Sequence, residues 1–238
     1  MPSENISNAI KSLTKGKFIL LYDKEGREEE VDLVKLAEAV KPEDVFTLRR
    51  DAGGLICVAV HPEIWHRWEL PFLHELFQSC YSNYGVLEAL IPNDIPYDEK
   101  SAFSVTINHR KTFTGVTDKD RALTIRELGL LGKNTYLGNS DNNWKEELGM
   151  NFRSPGHVHL LLATDGLLRK RQGHTELTVS LAEIGSLNPV MVLCEMLDGK
   201  TGKALSVNEA KKYAKKHNLV YVSGAEIMEE YFKRSEHG

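Results

Sequence analysis

The sequence predicts one α+β (mixed α/β) domain, spanning residues 1–238, in which a mixed sheet is flanked by helices. Length is the first observation, because 238 residues are enough to bury one sizeable core. Composition is the second, since hydrophobic residues make up 41% and charged residues 27% of the chain, as in ordinary globular proteins. Third, strand and helix patterns alternate along the chain without a repeat or a linker, which favours a single domain.

Apolar periodicity and residues typical of helix ends predict the helices. Ile6, Ile10 and Leu13 fall on one face of the first helix. Pro42, which two acidic residues follow, is typical of the first turn of another helix, and the glycines at 53–54 are typical of its end. The predicted helices cover residues 5–14, 42–53, 62–80, 117–129, 207–217 and 224–233, with a further helix beginning near residue 175.

Short apolar or alternating segments predict the strands. The segment LICVAV, residues 55–60, is apolar throughout and predicts a central strand. The other predicted strands cover residues 18–22, 103–108, 158–163, 189–197 and 219–222, and one more begins at residue 31. The polar stretch 138–151 is predicted to be a surface loop, and residues 1–15 are predicted to be an N-terminal extension of the domain.

Charge, cysteine content and hydropathy exclude several classes of partner. A net charge of −4 disfavours a general nucleic-acid-binding surface, so we expect no nucleic acid partner. Cys57, Cys80 and Cys194 are scattered and odd in number, which is typical of a reducing compartment, and the first residues lack the apolar segment of a secretory signal. Because no apolar run is long enough to cross a bilayer, we expect a cytoplasmic protein without a membrane partner.

An acidic segment follows the first predicted strand, and six of the ten residues 23–32 are Asp or Glu. If Glu28, Glu30 and Asp32 lie on a strand, their side chains share one face about 7 Å apart, and each neighbouring pair costs about 2 kcal/mol at an effective dielectric constant of about 20. A divalent cation, a partner arginine or bulk water would offset this repulsion, so a solvated turn is one alternative. The position after a buried strand, where α/β folds place ligands, favours a binding site instead.

A basic segment, RKRQGHTE at residues 169–176, has the complementary chemistry. Arg171, Thr175 and the free N–H groups of a helix start would make an anion site that suits a phosphate, although a basic turn that only caps a neighbouring helix is the alternative. Glutamate oxygens and the nitrogen of His174 together suit Mg²⁺ or Mn²⁺. The two segments therefore predict a phosphorylated small molecule that is bound at one end and activated at the other.

Three other residues are considered one by one as candidate site residues. Cys57 lies inside an apolar strand and is more typical of a core than of a site. His157 follows Ser-Pro-Gly at a predicted turn, where it could be exposed. Glu195 is a carboxylate within the apolar segment VLCEML, so it is either a candidate acid or base or the partner of a core arginine.

Six motifs occur in order along the chain: GREEEVD, GGLICVAV, HRKTFTGVTDKDRA, RSPGHV, RQGHTE and PVMVLCE. On these motifs the chain, from about residue 16 onward, resembles the 3,4-dihydroxy-2-butanone-4-phosphate synthase family of riboflavin biosynthesis, and in particular its archaeal, single-function members. Bacterial members usually have Arg-Glu-Asn-Glu-Gly-Asp where this chain has Arg-Glu-Glu-Glu-Val-Asp at residues 27–32, so Glu29 and Val31 depart from the bacterial pattern.

The resemblance implies a single-domain fold of that family, a homodimer with each site at the subunit interface, and conversion of D-ribulose 5-phosphate to formate and L-3,4-dihydroxy-2-butanone 4-phosphate. It also implies Mg²⁺ or Mn²⁺, with two ions per site. The implied metal ligands are Glu28, His174 and, for a second or water-mediated contact, Glu30. The implied phosphate and substrate contacts are Arg27, Asp32, Thr114, Arg171, Gly173 and Thr175. The implied catalytic residues are His157 and Glu195, with Asp23 and Cys57 as candidate bases.

Two other functions remain open on the sequence. The first is another metal-dependent isomerase or aldolase of pentose phosphates, from which the predicted activity differs by releasing formate. The second is a nucleotide- or RNA-binding module, which the negative charge and the acidic segment disfavour.

Overall fold

A mixed sheet lies at the centre of the computed structural model, which describes residues 2–91, 94–138 and 142–235. Within these ranges the sheet has seven strands in the order β4-β5-β3-β6-β2-β1-β7. The pairs β1/β7 and β3/β5 are parallel and the other neighbours are antiparallel, which confirms the predicted mixed sheet. The strands are β1 Ile19–Tyr22, β2 Val31–Leu36, β3 Cys57–Val60, β4 Phe103–His109, β5 Phe152–Leu162, β6 Val190–Glu195 and β7 Val220–Ser223.

Helices cover both faces of this sheet and confirm the predicted fold class. The side chains of each strand alternate between the faces, so that Leu20 and Leu33 pack with α6 and α9, while Ile19 and Val34 pack with α1, α8 and α10. The helices are α1 Glu4–Thr14, α2 Pro42–Thr47, α3 Pro62–Arg67, α4 Leu73–Ser79, α5 Gly85–Ala89, α6 Asp118–Leu137, α7 Trp144–Asn151, α8 His174–Ile184, α9 Val207–His217 and α10 Gly224–Ser235.

The N-terminal segment is part of the core rather than an appendage. Ser3 caps α1 by accepting a hydrogen bond from the N–H of Ile6. The side chains of Ile6, Ala9 and Leu13 are fully buried in the cluster that joins this helix to the sheet. The helix predicted over residues 5–14 is therefore present as Glu4–Thr14, and it packs in the core of the domain although residues 1–15 were predicted to be an extension.

The segments 62–80 and 138–151 are among those that differ from the prediction. The stretch 138–151 was expected to be a loop, but Trp144–Asn151 is helix α7, because burial of the Trp144 indole anchors an otherwise polar segment; residues 139–141 lie outside the described ranges. The helix predicted over 62–80 is divided into α3 and α4, since Glu69 takes a left-handed backbone conformation, φ 53°, that a continuous helix cannot contain.

The strand register places the acidic segment of the chain next to β6. Residues 23–30 connect β1 to β2, and Asp32 in β2 pairs directly with Glu195 in β6. Asp32 and Cys57 lie on the side of the sheet that α8 covers. The candidate site is therefore assembled where β2 begins, β6 ends and α8 begins. No helix in the described ranges is both long enough and apolar enough to cross a membrane.

Candidate active site

A cavity of about 630 Å³ opens at this edge of the sheet. It brings together most of the residues that the sequence and the resemblance selected, although they come from distant segments of the chain. Those on its wall are Arg27, Glu28, Glu30, Asp32, Cys57, Arg171, His174, Thr175 and Glu195. Asp23, Gly173, Thr114 and His157 lie off this wall.

Asp23 shapes the acidic turn from within. Its carboxylate is almost fully buried and accepts hydrogen bonds from the backbone N–H groups of Glu28, at 3.0 Å, and Glu30, at 3.2 Å. These two bonds fix the backbone that carries both glutamate side chains. Asp23 therefore holds the turn in place behind the cavity wall.

His174, the first residue of α8, joins the basic segment to the acidic turn. Its Nδ1 lies 3.0 Å from Oε2 of Glu28, and its Nε2 lies 3.1 Å from the carbonyl oxygen of Glu30. Since a carbonyl oxygen only accepts, Nε2 carries a proton and donates it. Burial alone lowers the pKa of His174, but the charge of Asp32 and the hydrogen bond to Glu28 outweigh burial and raise this pKa to about 10.

The same contact acts on Glu28 in the opposite direction. Burial alone raises the pKa of the Glu28 carboxyl, but the hydrogen bond and charge of His174, helped by Arg27 and Arg171, outweigh burial and lower that pKa. Glu30, which has no such partner, has a pKa that is raised by burial and by the charges of Glu195 and Glu28. The two glutamates of the turn therefore differ in basicity.

Asp32 is a buried carboxylate without a hydrogen-bond partner. Both of its oxygens lack one among the described residues, and Nε2 of His174 is 3.8 Å from Oδ1. Burial raises the pKa of Asp32 to about 8, and the charges of Glu195 and Glu30 add to that increase while His174 opposes it. Such an unpaired group costs free energy in the folded protein, and a bound cation or hydroxyl group would remove that cost.

Glu195 faces Asp32 across the strand pair. Its Oε2 accepts a hydrogen bond of 2.7 Å from the backbone N–H of Leu55. Within the described part of the chain it forms no ion pair with an arginine, so the structural alternative considered for this residue is not observed. Cys57 lies below these carboxylates, and burial raises the pKa of its thiol well above the usual range.

Two arginines line the cavity beside the acidic turn, and Nη2 of Arg27 lies 3.9 Å from Oε1 of Glu28. Arg171 contacts Glu176 through Nη1 at 2.6 Å and Asp98 through Nε at 2.5 Å, while Nη2 of Arg27 lies 2.7 Å from the same oxygen of Asp98. Gly173 permits this approach, because a Cβ at that position would lie only 2.6 and 2.7 Å from the two guanidinium groups.

Neither Asp98 nor the role of Glu176 was predicted from the sequence. Asp98 lies in an irregular segment, and its arginine partners are 71 and 73 residues away along the chain. Glu176 belongs to the recognised RQGHTE motif, but a glutamate in the first turn of a helix is usually explained by the helix dipole. In the structure it is fully buried and holds Arg171.

The donor atoms of the acidic turn fit a divalent cation. One ligand atom each from Asp23, Glu28 and His174 lie within 4.8 Å of one another. Two carboxylates and one imidazole suit Mg²⁺ or Mn²⁺, and the unpartnered oxygens of Asp32 are near. This cluster contains Asp23 where the resemblance implied Glu30, whose carboxylate lies on the cavity wall instead.

His157 and Thr114 form a separate cluster around Asn108. The Asn108 Oδ1 accepts a hydrogen bond of 2.8 Å from the N–H of His157, and its Nδ2 donates to the carbonyl oxygen of Thr114 at 3.5 Å. His157 is exposed, and Phe113, next to Thr114, is 95% exposed. The fold of one chain therefore does not bring these two predicted residues to the cavity.

Comparison with known proteins agrees with the motifs. A family model described as 3,4-dihydroxy-2-butanone 4-phosphate synthase matches residues 7–230. The enzyme of that name from Methanothermobacter thermautotrophicus is 47% identical over 228 residues, which cover 96% of both chains, and the one from Archaeoglobus fulgidus is 41% identical over 230 residues, which cover 96% of this chain and 94% of the relative. A crystal structure of a 3,4-dihydroxy-2-butanone 4-phosphate synthase in complex with two magnesium ions is 27% identical, has a TM-score of 0.73 and covers 96% of each chain.

These matches extend over nearly the whole chain and include the segments that build the cavity. They confirm the resemblance, including its similarity to archaeal members. The chain belongs to the 3,4-dihydroxy-2-butanone 4-phosphate synthase family.

Proposed function

We propose that this chain converts D-ribulose 5-phosphate to L-3,4-dihydroxy-2-butanone 4-phosphate and formate in riboflavin biosynthesis, by enolisation, dehydration, skeletal rearrangement and loss of formate. One observation carries the proposal: in a single cavity, donor atoms that suit a divalent cation lie beside a guanidinium pair that suits a phosphate, with Nη2 of Arg27 3.9 Å from Oε1 of Glu28. A sugar phosphate has a phosphate at one end and neighbouring oxygens at the other, so it matches both parts of the cavity. The free cysteines Cys57, Cys80 and Cys194 are consistent with the proposed cytoplasmic location.

The phosphate is assigned to the start of α8. Arg27 and Arg171 supply guanidinium donors, and this helix begins at Gly173 without a side chain that caps it. Thr175 adds a hydroxyl group on the cavity wall. Helix N–H groups and paired arginines are both strong donors to phosphate oxygens, so the phosphate would anchor the substrate at this end.

The cation is assigned to Glu28 and His174, with Asp23 or Glu30 as a further ligand. A bound Mg²⁺ or Mn²⁺ would act as a Lewis acid on the C2 carbonyl and C3 hydroxyl oxygens of the sugar. His174 must lose the proton on Nδ1 to serve as a ligand, while its Nε2–H bond to the Glu30 carbonyl fixes the ring. The related crystal structure in complex with two magnesium ions supports a divalent cation here, and we propose two ions per site.

Proton transfer is assigned to the carboxylates that face the cavity. Cys57 is a poor candidate base because its raised pKa keeps the thiol protonated, and both oxygens of Asp23 already accept backbone hydrogen bonds. Asp32 has a pKa raised to about 8 and no partner in the described residues, so it can accept and return a proton near neutral pH while it contacts a substrate hydroxyl. Glu195, on the paired strand, is assigned the second proton relay.

A second copy of the chain is assigned the remaining residues. His157 and Thr114 match family motifs but lie in a different cluster from the cavity of their own chain. The exposed apolar side chains of Phe113 and Val116 lie beside this cluster and would be covered in a dimer. We therefore propose a homodimer in which each chain donates His157 and Thr114 to the cavity of the other.

A formate assay tests the proposed function. Purified protein is given D-ribulose 5-phosphate and Mg²⁺, and formate is measured with and without EDTA. We expect formate only when the metal is free to bind. Turnover of the sugar phosphate without formate would instead identify an isomerase or aldolase, and salt-sensitive binding of RNA without turnover would identify the nucleic-acid alternative.

A further inference from the structure

Asp98 occupies the guanidinium pair that the proposed function assigns to phosphate. A single carboxylate oxygen of Asp98 accepts from Nη2 of Arg27 at 2.7 Å and from Nε of Arg171 at 2.5 Å. The three side chains bury one another, with exposed fractions of 9%, 15% and 14% for Arg27, Arg171 and Asp98. A carboxylate placed between two arginines has the charge and the acceptor geometry of one edge of a phosphate group.

The other side of Arg171 is fixed independently of Asp98. Oε2 of the buried Glu176 contacts Nη1 of Arg171 at 2.6 Å, and its Oε1 accepts from the N–H of Thr164 at 2.9 Å. Arg171 would therefore keep its position if Asp98 left. Arg171 is thus fixed on one side by Glu176, and on its other side it binds an anion that can leave. Such an arginine is preorganised to bind another anion.

Asp98 belongs to a segment with few other attachments to the domain. Residues 94–101, between α5 and β4, have no regular secondary structure, and most of them are exposed. Apart from the Asp98 bonds, Tyr97 contacts Arg27 in two ways: its carbonyl oxygen accepts a long hydrogen bond of 3.5 Å from Nη1, and its ring lies 5.9 Å from the guanidinium carbon. At the end of the segment, the hydroxyl of Ser101 accepts a hydrogen bond of 3.2 Å from the N–H of Phe103. Among the described residues, the attachment of this segment to the cavity wall therefore depends on Asp98 and on the weaker contacts of Tyr97 with Arg27.

The segment also separates the catalytic cavity from a second cavity of about 740 Å³. Asp98 and Lys100 line both cavities, and Lys24 and Lys170 line the second one. A carboxylate that leaves the arginines therefore has a cationic space beside it. Displacement would not move Asp98 into an apolar environment.

We infer that Asp98 is an internal competitor for the phosphate site: it holds the arginine pair in the empty enzyme and is displaced when the phosphate of the substrate binds. This inference rests on the proposed assignment of phosphate to Arg27 and Arg171. It makes Asp98 a specificity residue, because a sugar without a phosphate carries no anion that can replace the carboxylate. A phosphate dianion can, since it has more charge and more acceptor oxygens than one carboxylate.

Binding of inorganic phosphate to the full chain, measured by calorimetry in EDTA, tests this inference. The variant Asp98→Asn is compared with wild type and with Glu99→Gln, which makes the same charge change at the next residue, where no ion pair is formed within the described ranges. We expect Asp98→Asn to bind phosphate about tenfold more tightly, because the bound competitor no longer reduces the fraction of open sites. Glu99→Gln should stay within about twofold of wild type, and equal affinities for all three proteins would overturn the inference.

Hydrogen exchange of the wild-type protein gives a second test, which is independent of the folding of Asp98→Asn. Phosphate should increase exchange at the amides of residues 97–101, because their attachment through Asp98 is lost. Unchanged or slower exchange would show that the segment stays clamped, which contradicts displacement. Neither measurement depends on turnover, so both can be interpreted even if the formate assay is negative. If the protein produces formate but the binding test fails, the proposed function stands and only the role of Asp98 is wrong.

Discussion

The carboxylates around His174 show how neighbouring residues with similar chemistry acquire different tasks. Glu28 has a protonated partner and a lowered pKa, whereas Asp32 has no hydrogen-bond partner in the described residues and a raised one. The difference comes from burial and geometry rather than from residue type. In the proposed function, this difference makes Glu28 a cation ligand and Asp32 a group that exchanges protons near neutral pH.

The change Glu195→Gln tests the proton relay. The amide keeps the shape of the side chain and can still accept from the N–H of Leu55, but it cannot take up a proton. We expect kcat for formate release to fall by at least about 10²-fold, with KM for D-ribulose 5-phosphate within a few-fold of wild type. Normal turnover by this variant would show that Glu195 is not a proton relay.

The change Asp32→Asn should abolish activity and stabilise the metal-free protein. The pKa of Asp32 is raised from its ordinary 3.8 to about 8, so wild type loses stability as pH rises between these values, and the variant lacks that loss. At pH 8 we expect an increase of at least about 1 kcal/mol in the free energy of unfolding, which disappears below about pH 4. Urea unfolding in EDTA at several pH values measures this change in the free energy of unfolding. If the variant is less stable than wild type at pH 8, Asp32 already has a stabilising partner.

Residue chemistry made much of this site predictable from sequence. The side-chain chemistry of the carboxylates, the arginines and His174 is evident from the sequence. The order of the motifs then predicted that the acidic and the basic segment form one site. Asp98 was missed because its function depends on arginines more than 70 residues away. The role of Asp23 is also three-dimensional, since its bonds to two backbone amides exist only once the turn has formed.

At the scale of elements, local pattern predicted most helices and strands. Helix α1 was predicted because its apolar residues follow the helix period, and β2 was predicted only at its start, near residue 31. Helix α7 was missed because Trp144 is its only buried residue within the described ranges. A single apolar residue cannot produce the repeating pattern from which a helix is predicted. Helix α6 was predicted to end near Gly129, but it continues to Leu137, since glycines 129 and 132 lie against neighbouring elements rather than at a helix end.

Helix α3 is expected to lose stability in acid because its capping residue is a buried histidine. His61 caps this helix when its Nδ1 accepts from the N–H of Glu63 at 3.2 Å, and burial lowers the pKa of His61 from 6.5 to about 4. A lowered pKa means that the stabilisation is complete above about pH 6.5 and is lost as pH falls toward 4, by up to about 3 kcal/mol. The change His61→Asn keeps a side-chain cap without titration, so its unfolding free energy should fall less over this range. An equal fall in both proteins would place the acid sensitivity elsewhere.

At the scale of the whole molecule, the proposed exchange of residues between two chains can be tested by complementation. Glu28→Gln and His157→Ala should each be inactive, because one removes a metal ligand and the other a residue donated to the partner's site. After the two inactive proteins are unfolded and refolded together, half of the dimers are mixed and each has one complete site, so about a quarter of the wild-type activity should return.

A matched control separates this from other causes of recovery. Glu28 and Glu195 line the same cavity of one chain, so mixing Glu28→Gln with Glu195→Gln should restore no activity. If the first mixture also stays inactive although mixed dimers form, His157 does not act across the interface.

Because Asp32 pairs with Glu195, the position of both carboxylates in the cavity depends on the register between β2 and β6. Because side chains alternate along a strand, inserting or deleting one residue in β2 would turn Asp32 toward the α6 side of the sheet without changing the composition of the protein. Catalytic function could then be lost through a shift of one position in a hydrogen-bond ladder, with every reactive group still present in the sequence. Attempts to redesign this enzyme should therefore keep the length of β2 and its register against β6 unchanged.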